Sequence, residues 1–401
     1  MGVLAAGLAW LAAGGLPAPA AAQDVVVTKA AARRSSIDRS GFATPATEAG
    51  RRFDMALRTA LQRSGWFAEA RPGAGEFTLT GRLRERGDRL VVEADLREGR
   101  RSVLRRTYEG GAGEARTLAH RLSDDLVQAV TGRPGFAASR LVLVGGRRGS
   151  KELYLSDADG QGLMALTRDG SISLYPRWSP DARRIVYTGY LRGFPDLYLV
   201  ELATGERRRI SGFPGLNTGG AMAPDGRRIA LILSKDGNPE LYVRDLQSAT
   251  LTRLTRTPRA AESSPSWSPD GRRIVYVSDI SGSPQLYLID RDGGAPRRLT
   301  GRGRENVAPD WGPHGWIVYS TRVGAEYRLA MLNPDTGESR SLNLPPGDWE
   351  DPSWARDGRH VAAARTVGRR SSVWLVDTVE EEAVILVPAG EREWFSPSWS
   401  P

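Results

Sequence analysis

The sequence predicts a mostly β protein, in which a six-bladed β-propeller of four-stranded blades follows a small α/β domain. Two observations predict the propeller. A Trp-Ser-Pro-Asp motif, or a degenerate copy of it, occurs six times at spacings of 43 to 45 residues, and short apolar runs follow the first five copies. A repeat of this length with several strands per unit is typical of propeller blades. A third observation, helical periodicity confined to the region before residue 140, predicts the small domain.

The first 22 residues are predicted to be a secretory signal peptide. The stretch from Val3 to Leu16 is almost wholly apolar, and the small residues 20–22 precede Gln23, as in an apolar core followed by a cleavage site. The stretch is shorter than the roughly 20 residues that span a bilayer, although an uncleaved anchor is the alternative. We therefore expect a periplasmic protein that is peripheral to the envelope and not membrane-spanning, with residues 23–45 as an N-terminal tail.

Residues 46–138 are predicted to form the small α/β domain. Apolar residues recur at helical spacing before Gly65 and again before Gly132, and they alternate with polar residues around a Gly87-Asp88 turn. We expect a helix over residues 46–64, strands over 77–81, 90–96 and 103–108, and a second helix over 114–131. A short linker near residues 135–139 joins this domain to the propeller.

Residues 139–401 are predicted to form the propeller. The motif copies lie at Trp178, Met222, Trp267, Trp311, Trp354 and Trp399. Each of the first five begins a unit of four strands, but the runs between residues 141 and 167 have no such strand before them, and Trp399 has no strand after it. The C-terminal strand is therefore expected to be the innermost strand of the blade that begins at residue 141, which closes a ring of six blades.

Composition and motifs argue against an enzyme. The chain has no Cys and only three His, which excludes disulfides, thiolate metal sites and cysteine nucleophiles and argues against a His-rich metal centre. It has no Gly-x-Ser-x-Gly elbow, no phosphate loop and no dinucleotide glycine fingerprint. We therefore expect no catalytic residues, no cofactor and no metal.

Two sets of repeated residues have both a functional and a structural interpretation. The motif Asp residues, such as Asp181 and Asp270, could be paired carboxylates, but each occupies the same point of a different repeat, where Asp favours a tight turn. The motif Trp residues could stack a ligand, but Met222 replaces one of them, which favours packing between blades. We predict the structural role for both sets.

At this level of detail the repeats resemble those of the TolB family. The resemblance is carried by Trp267 to Tyr276, Leu286 to Asp290, Gly293 to Thr300, Ser64 to Phe67 and Leu126 to Phe136. It covers roughly residues 46–401, and it implies a monomeric, non-enzymatic periplasmic scaffold of the Tol-Pal system. In that family the propeller docks the peptidoglycan-associated lipoprotein Pal, and the system supports outer-membrane integrity and envelope constriction during cell division.

The same resemblance implies that the mature N-terminus can engage TolA. The candidate residues for this contact are Gln23, Asp24, Val25, Val26 and Val27. A frayed tail or an edge strand is the alternative. The segment that follows Val27 is short and Arg-rich, and we expect it to lack the family's first apolar strand.

The predicted partner site is the propeller mouth, where the loops that enter the innermost strands converge on the axis. Its candidate residues are Asn217, Thr218, Glu262, Ser263, Ser264, Glu305, Asn306, Glu350, Asp351, Glu393 and Trp394. Their polar and acidic side chains predict an electronegative mouth that docks a Pal-type lipoprotein. The alternatives are solvated loops with no partner, or a site for a small ligand such as a glycan or a divalent cation.

The positive charge is concentrated in the N-terminal third of the chain. Of the 56 basic and 47 acidic residues, residues 23–140 hold 22 and 15, a net charge of +7, and residues 141–401 hold 34 and 32, a net charge of +2. Since export makes nucleic acid an unsuitable target, we expect the small domain to face anionic envelope surfaces or an acidic partner.

Overall fold

The small domain packs two helices on one face of a mixed sheet. The computed structural model describes residues 33–147, 149–301 and 303–401. Its first elements are β1 (Ser35–Asp38), β2 (Phe42–Ala43), α1 (Glu48–Arg63), β3 (Phe67–Glu69), β4 (Phe77–Arg86), β5 (Arg89–Glu98), β6 (Arg101–Gly111), a short 3-10 helix (Ala112–Glu114) and α2 (Ala115–Thr131). The strand order is β3-β1-β4-β5-β6, with β2 beside β4. Neither helix is long and apolar enough to cross a bilayer, and the described residues contain no other α-helix.

Local chemistry determines where the two helices begin and end. Thr47 caps α1 by accepting a hydrogen bond from the Gly50 N–H at 3.1 Å. Gly132 ends α2 in the left-handed conformation that glycine adopts without strain. The apolar stripes of both helices are buried against the sheet. The small α/β domain expected from the sequence is therefore confirmed.

The sheet includes residues that the sequence analysis assigned to the tail. Strand β1 runs parallel to β3 and β4, and its Ile37 side chain is fully buried. The expectation that this segment lacks a first strand is wrong. Ile37 is the one apolar residue of this strand, and the others are Ser35, Ser36 and Asp38. The sequence of the strand therefore shows no alternation of apolar and polar residues. The folded domain therefore begins before residue 46, and residues 23–27 lie outside the described residues.

Six four-stranded antiparallel sheets form the propeller. Blade 1 contains β7 (Arg140–Arg147), β8 (Ser150–Asp157) and β9 (Met164–Ala165); blade 2 contains β10 (Ser173–Trp178), β11 (Arg184–Gly189), β12 (Asp196–Glu201) and β13 (Arg207–Ser211); blade 3 contains β14 (Asn217–Met222), β15 (Arg228–Leu233), β16 (Glu240–Asp245) and β17 (Leu251–Arg253). Blade 4 contains β18 (Glu262–Trp267), β19 (Arg273–Ser278), β20 (Gln285–Asp290) and β21 (Arg297–Arg298); blade 5 contains β22 (Asn306–Trp311), β23 (Ile317–Val323), β24 (Glu326–Leu332) and β25 (Ser339–Ser341); blade 6 contains β26 (Asp348–Trp354), β27 (His360–Val367), β28 (Arg370–Asp377) and β29 (Glu382–Val387). The six-bladed propeller with four-stranded blades is confirmed.

The C-terminal strand closes the ring. Strand β30 (Glu393–Trp399) pairs antiparallel with β7 and is the innermost strand of blade 1. Ser400 adds a hydrogen bond from its backbone N–H to the Arg140 carbonyl at 2.8 Å. The two ends of the propeller sequence thus share one sheet, which leaves no unpaired inner edge.

Each innermost strand contains the same irregularity. Its pairing register shifts in the middle, and the residue at this point has positive φ; the six are Tyr175, Gly219, Ser264, Ala308, Asp351 and Ser396. Five of the six precede a proline. The bulge changes the simple alternation of side chains along the strand, so it decides which residues reach the axis.

The motif Trp and Asp residues have the structural roles predicted for them. The Trp178 indole N–H donates to the Ser398 carbonyl of the neighbouring blade at 3.0 Å, and the Trp267 indole donates to the Ala221 carbonyl at 2.9 Å. Asp270 accepts hydrogen bonds from the Ser268 hydroxyl and from the Arg272 N–H within its turn. The motif therefore joins blades and shapes turns.

The helices of the small domain face the propeller. Arg116 of α2 forms ion pairs with Asp157 and Asp159 at 2.7 and 2.8 Å. Arg359 is fully buried, pairs with Asp377 at 2.7 Å and lies over the Trp66 ring, 4.7 Å from its centroid. Charged and aromatic contacts therefore fix the small domain against blades 1 and 6.

Candidate functional site

The propeller has two non-equivalent faces. We call the face at which the innermost strands begin, at residues such as Asn217 and Asn306, the front face, and the one at which they end, at the motif Trp residues, the back face. The small domain packs on the back face, because Arg356, in the turn after β26, donates to the Gly135 carbonyl at 2.6 Å. The front face points away from the small domain and contains the predicted partner residues.

Four of the predicted partner residues are buried inside the blades. Asn217, Glu262, Asn306 and Trp394 are each less than one-tenth exposed. The Asn217 side chain binds backbone groups of the loop before it, and Trp394 packs edge-on against Tyr154 with ring centroids 5.1 Å apart. All four lie two residues before the bulge of their strand, and at this position the side chain turns away from the axis.

Glu262 is a buried carboxyl group with an unusual environment. It accepts hydrogen bonds from Ser278 at 3.0 Å and from Thr257 at 3.1 Å. Burial and the nearby carboxylate of Glu240 raise the pKa of Glu262 to about 7. The group therefore titrates near neutral pH, but its 2% exposure gives a partner no direct access.

The other predicted residues are partly or fully exposed on the front face; they are Thr218, Ser263, Ser264, Glu305, Glu350, Asp351 and Glu393. Glu305 forms an ion pair with Arg322 at 3.1 Å. Asp351 accepts a hydrogen bond from Ser396 at 2.6 Å. Burial, followed by the neighbouring charge of Asp351, raises the pKa of Glu350.

The mouth is therefore not uniformly electronegative. Arg322 neutralises Glu305, and burial removes Glu262. Glu350 and Asp351 of blade 6 and the exposed Glu393 of blade 1 have no arginine partner within the described residues. Tyr175 of blade 2 lies near Asp351. Its partial burial and the charge of Asp351 raise the pKa of its phenol group. The central part of the front face thus combines two carboxyl groups with a half-exposed tyrosine.

Exposed apolar side chains surround this polar centre, and the sequence analysis did not identify them. Seven of the twelve exposed large hydrophobic side chains of the described residues lie on the front face: Ile172, Tyr175, Leu191, Phe194, Ile280, Val323 and Val367. Phe194 has the largest exposure, at 71%. Five of the seven lie where the second strand of a blade connects to the third: Leu191, Phe194 and Ile280 in the loops, and Val323 and Val367 as the last residues of β23 and β27. Their only sequence signal is a single apolar residue within a Gly- or Pro-containing turn.

The back face has a cavity on the axis. Its volume is about 370 Å³, and the residues of the motif ring, Trp178, Met222, Trp267, Trp311, Trp354 and Trp399, line it. Arg177 and Asp310 also line the cavity and form an ion pair at 2.8 Å. Within the described ranges, no group of three or more His, Asp or Glu side chains is placed to hold a metal ion.

Comparisons with known proteins agree with this architecture. Residues 127–401 match the family model described as the TolB beta propeller domain. The crystal structure of TolB from Acinetobacter baumannii superposes with a TM-score of 0.82 and 26% identity, covering 92% of this chain and 97% of that one. Among curated proteins, the Tol-Pal system protein TolB of Syntrophotalea carbinolica is 39% identical over 110 residues, 27% of this chain and 26% of that protein.

The sequence matches to curated relatives are local. The protein TolB homolog of Chlorobaculum tepidum is 36% identical over 116 residues, 29% of this chain and 27% of that protein. The chain thus matches about a quarter of the length of these relatives. The family model, in contrast, covers the whole propeller and most of its junction with the small domain. The chain therefore belongs to the family of the TolB beta propeller domain.

Proposed function

We propose that this protein is a non-enzymatic periplasmic scaffold of the Tol-Pal system that docks a Pal-type peptidoglycan-associated lipoprotein on its front face. Membership of the TolB propeller family and relatives whose names place them in the Tol-Pal system support this role. The expectation that the chain is not an enzyme agrees with those names. In this role the protein supports outer-membrane integrity and envelope constriction during cell division.

The arrangement of apolar side chains on the front face carries the docking proposal. Phe194, Ile280, Val323 and Val367 come from four different blades and surround a polar centre. Large apolar side chains exposed together on one face and rimmed by polar groups mark an interaction site, and aromatic side chains are enriched in interface cores. The face is also remote from the small domain, so a partner reaches it without displacing that domain.

The polar centre would provide specificity. Glu350 and Asp351 lie next to the half-exposed Tyr175, and no arginine forms an ion pair with either carboxyl group within the described residues. Charged groups at an interface select partners and fix their orientation more than they add affinity. We therefore expect a basic or hydrogen-bond-donating segment of the partner at this point.

The N-terminal contact remains a separate prediction. Gln23 to Val27, the candidate residues for TolA, lie outside the described residues. The predicted signal peptide, which supports a periplasmic location, also lies outside them. Both predictions depend on the family resemblance and on the sequence alone.

A pull-down with a purified Pal-type lipoprotein tests front-face docking. We expect Phe194→Ala combined with Val367→Ala to weaken binding at least about tenfold, because truncation of interface anchors commonly costs more than 1 kcal/mol each. Leu163→Ala is the matched control, since Leu163 is an exposed apolar residue in a back-face turn. Glu262 is unsuitable for this test because its buried side chain is not accessible to a partner.

Undiminished binding of the double variant would exclude the front face. Failure of the unmodified protein to bind the lipoprotein would contradict the proposed partner. A rise in melting temperature on addition of a soluble oligosaccharide or Ca²⁺ would instead support the alternative of a small-ligand propeller.

A further inference from the structure

We propose that the outer face of the small domain's sheet is a docking surface for an anionic phospholipid bilayer. Six arginines on β4, β5 and β6 define this surface, which we call the arginine platform: Arg82, Arg84, Arg86, Arg89, Arg97 and Arg105. This inference goes beyond the proposed function, because it concerns the opposite end of the molecule and a lipid partner.

Strand register brings the six arginines to one face. In the register of β4 and β5, Arg86 lies opposite Arg89 beside the turn, and Arg82 lies opposite Glu93. On the next strand Arg105 lies opposite Asp95. Because side chains alternate along a strand, the intervening residues Leu79, Leu83, Leu90, Val92 and Leu96 point to the other face, where they form the core with the helices.

The platform is open to solvent and faces away from the propeller. The side chains of Arg82, Arg84, Arg89, Arg97 and Arg105 are between 36% and 71% exposed. Helix α2 buries Leu118 and Leu122 against the sheet, while Arg116 on its other side pairs with the propeller. The helices therefore lie between the sheet and the propeller. The arginine platform and the front face are at opposite ends of the protein.

The acidic groups on this face are too few to neutralise it. Glu93 lies within ion-pair distance of both Arg82 and Arg84, at 2.8 and 3.7 Å. Asp95 is shared in the same way between Arg97 and Arg105, at 2.9 and 3.0 Å. Glu109 pairs with Arg89 at 3.3 Å, and Arg86 has no ion pair among the described residues. Six guanidinium groups therefore face three carboxylates.

The shape and chemistry of the platform suit a layer of phosphate groups. Strands of 10 and 11 residues give a surface about 30 Å long at roughly 3.4 Å per residue. Guanidinium groups bind phosphate oxygens in a bidentate manner and stay charged at every physiological pH. The β5–β6 turn adds the exposed Arg100 and Arg101 against one exposed carboxylate, Glu98.

The platform fits a protein partner less well. None of the exposed large hydrophobic side chains of the described residues lies on it, and its central apolar residue, Val91, is buried. Protein interfaces usually contain apolar or aromatic anchors that fill pockets on the partner. An electrostatic surface without such anchors is typical of peripheral membrane attachment, which weakens when salt screens the charges.

Co-sedimentation with vesicles of the protein from which the predicted signal peptide, residues 1–22, has been removed tests the proposal. We expect binding to vesicles of phosphatidylcholine mixed with phosphatidylglycerol at low salt, little binding to pure phosphatidylcholine, and weakening when the ionic strength is raised to about 0.15 M. The triple variant Arg84→Gln, Arg86→Gln, Arg89→Gln should bind at least about tenfold less tightly, because each arginine near an anionic bilayer adds to the attraction.

A matched control separates position from net charge. Arg183, Arg208 and Arg272 are exposed on the propeller and their side chains form no ion pair among the described residues. Replacing these three with Gln changes the net charge equally, and we expect vesicle binding to stay within about twofold. Exposed ion pairs contribute little to stability, so both variants should unfold at the same urea concentration as the unmodified chain.

Two results would overturn the proposal: no binding of the unmodified chain to phosphatidylglycerol vesicles at low salt, or equal loss in the platform and control variants. If the partner of the arginine platform is an acidic protein and not a bilayer, the first result is the one expected. Because lipoprotein binding to the front face is measured in a separate pull-down, failure of either proposal leaves the other open to its own test.

Discussion

Arg177 of blade 2 donates a hydrogen bond from Nη1 to Oδ1 of Asp310 in blade 5 at 2.8 Å, across the axis of the propeller. The other oxygen of Asp310 accepts the backbone N–H of Trp354 in blade 6 at 2.8 Å. Ser353 occupies the equivalent position in blade 6 and accepts the Trp399 N–H at 3.1 Å. The residue before the motif Trp therefore links neighbouring blades, and in blade 5 this residue, Asp310, also links to the opposite blade 2.

Removal of the axial ion pair should destabilise the propeller. We expect Arg177→Ala to lower the free energy of unfolding by about 1–3 kcal/mol, because it leaves the partly buried Asp310 carboxylate without its cation. Asp310→Ala should cost more, since it also leaves the Trp354 N–H without an acceptor. Urea unfolding measures both. The control is Arg183→Ala, which removes an exposed arginine of blade 2; equal midpoints for Arg177→Ala and this control would contradict the prediction.

Deletion of residues 396–401 should destabilise the protein sharply. The deletion removes Trp399, which is buried between blades, and the Ser398 carbonyl that accepts the Trp178 indole N–H. Loss of a buried Trp alone commonly costs about 3–5 kcal/mol, and the deletion also opens an inner sheet edge. We expect a large fall in melting temperature. Deletion of the exposed Pro401 alone should have little effect, and an unchanged melting temperature for the longer deletion would refute ring closure by β30.

The sequence predicted the blades well because most blades repeat the Trp and Asp residues that set their spacing. Trp178 and Trp267 mark the ends of innermost strands, and the turns after them require the same Asp. The repeat spacing therefore reveals the strands of each blade. The last copy, at Trp399, reveals that the C-terminal strand closes the ring. Strand β1 escaped detection because pairing with β3 and β4 holds it in place although Ile37 is its one apolar residue.

The candidate site was less predictable, because the spacing of the sequence repeat does not determine the direction in which a side chain points. The bulge at residues such as Ser264 changes the alternation along each innermost strand. As a result, Glu262 points into the blade although the same segment places Ser263 partly in solvent. Phe194 lies in a turn between strands and Val367 is the last residue before one, and the sequences of these turns differ between blades.

Stability should depend on pH through Glu262. Burial and the carboxylate of Glu240 raise the pKa of Glu262 from its ordinary value of 4.5 to about 7. In the folded protein this carboxyl group keeps its proton to higher pH than in the unfolded chain. Its contribution to stability is therefore fully present below about pH 4.5 and is lost as pH rises through about 7.

Glu262→Gln isolates this contribution. The amide stays neutral and can still accept hydrogen bonds from Ser278 and Thr257, so the variant should become more stable than the unmodified chain as pH rises from about 5 to about 8. The difference should change by up to about 3 kcal/mol across this range. Urea unfolding at several pH values measures it. Ser263→Ala, which changes no titratable group, is the control; a difference that stays constant with pH would show that Glu262 does not titrate there.

Contact between the domains at Gly65 can be tested against a second glycine of the same domain. Gly65 and Gly73 both have positive φ, of 69° and 76°. A Cβ atom on Gly65 would lie 2.5 Å from Nη2 of Arg359 and 2.7 Å from Oδ2 of Asp377, whereas one on Gly73 would have no neighbour within 4 Å. Gly73→Ala should therefore cost about 1–2 kcal/mol for backbone strain alone.

Gly65→Ala should cost clearly more than Gly73→Ala, because Arg359 is fully buried and cannot move without weakening its ion pair with Asp377 and its contact with the Trp66 ring. The difference between the two variants in free energy of unfolding, measured with urea, cancels the shared strain and reports the clash. Limited proteolysis of the linker around residues 132–139 should also be faster in Gly65→Ala, since the displaced side chain separates the domains. Equal unfolding midpoints and equal proteolysis rates would mean that the interface adapts to the added methyl group.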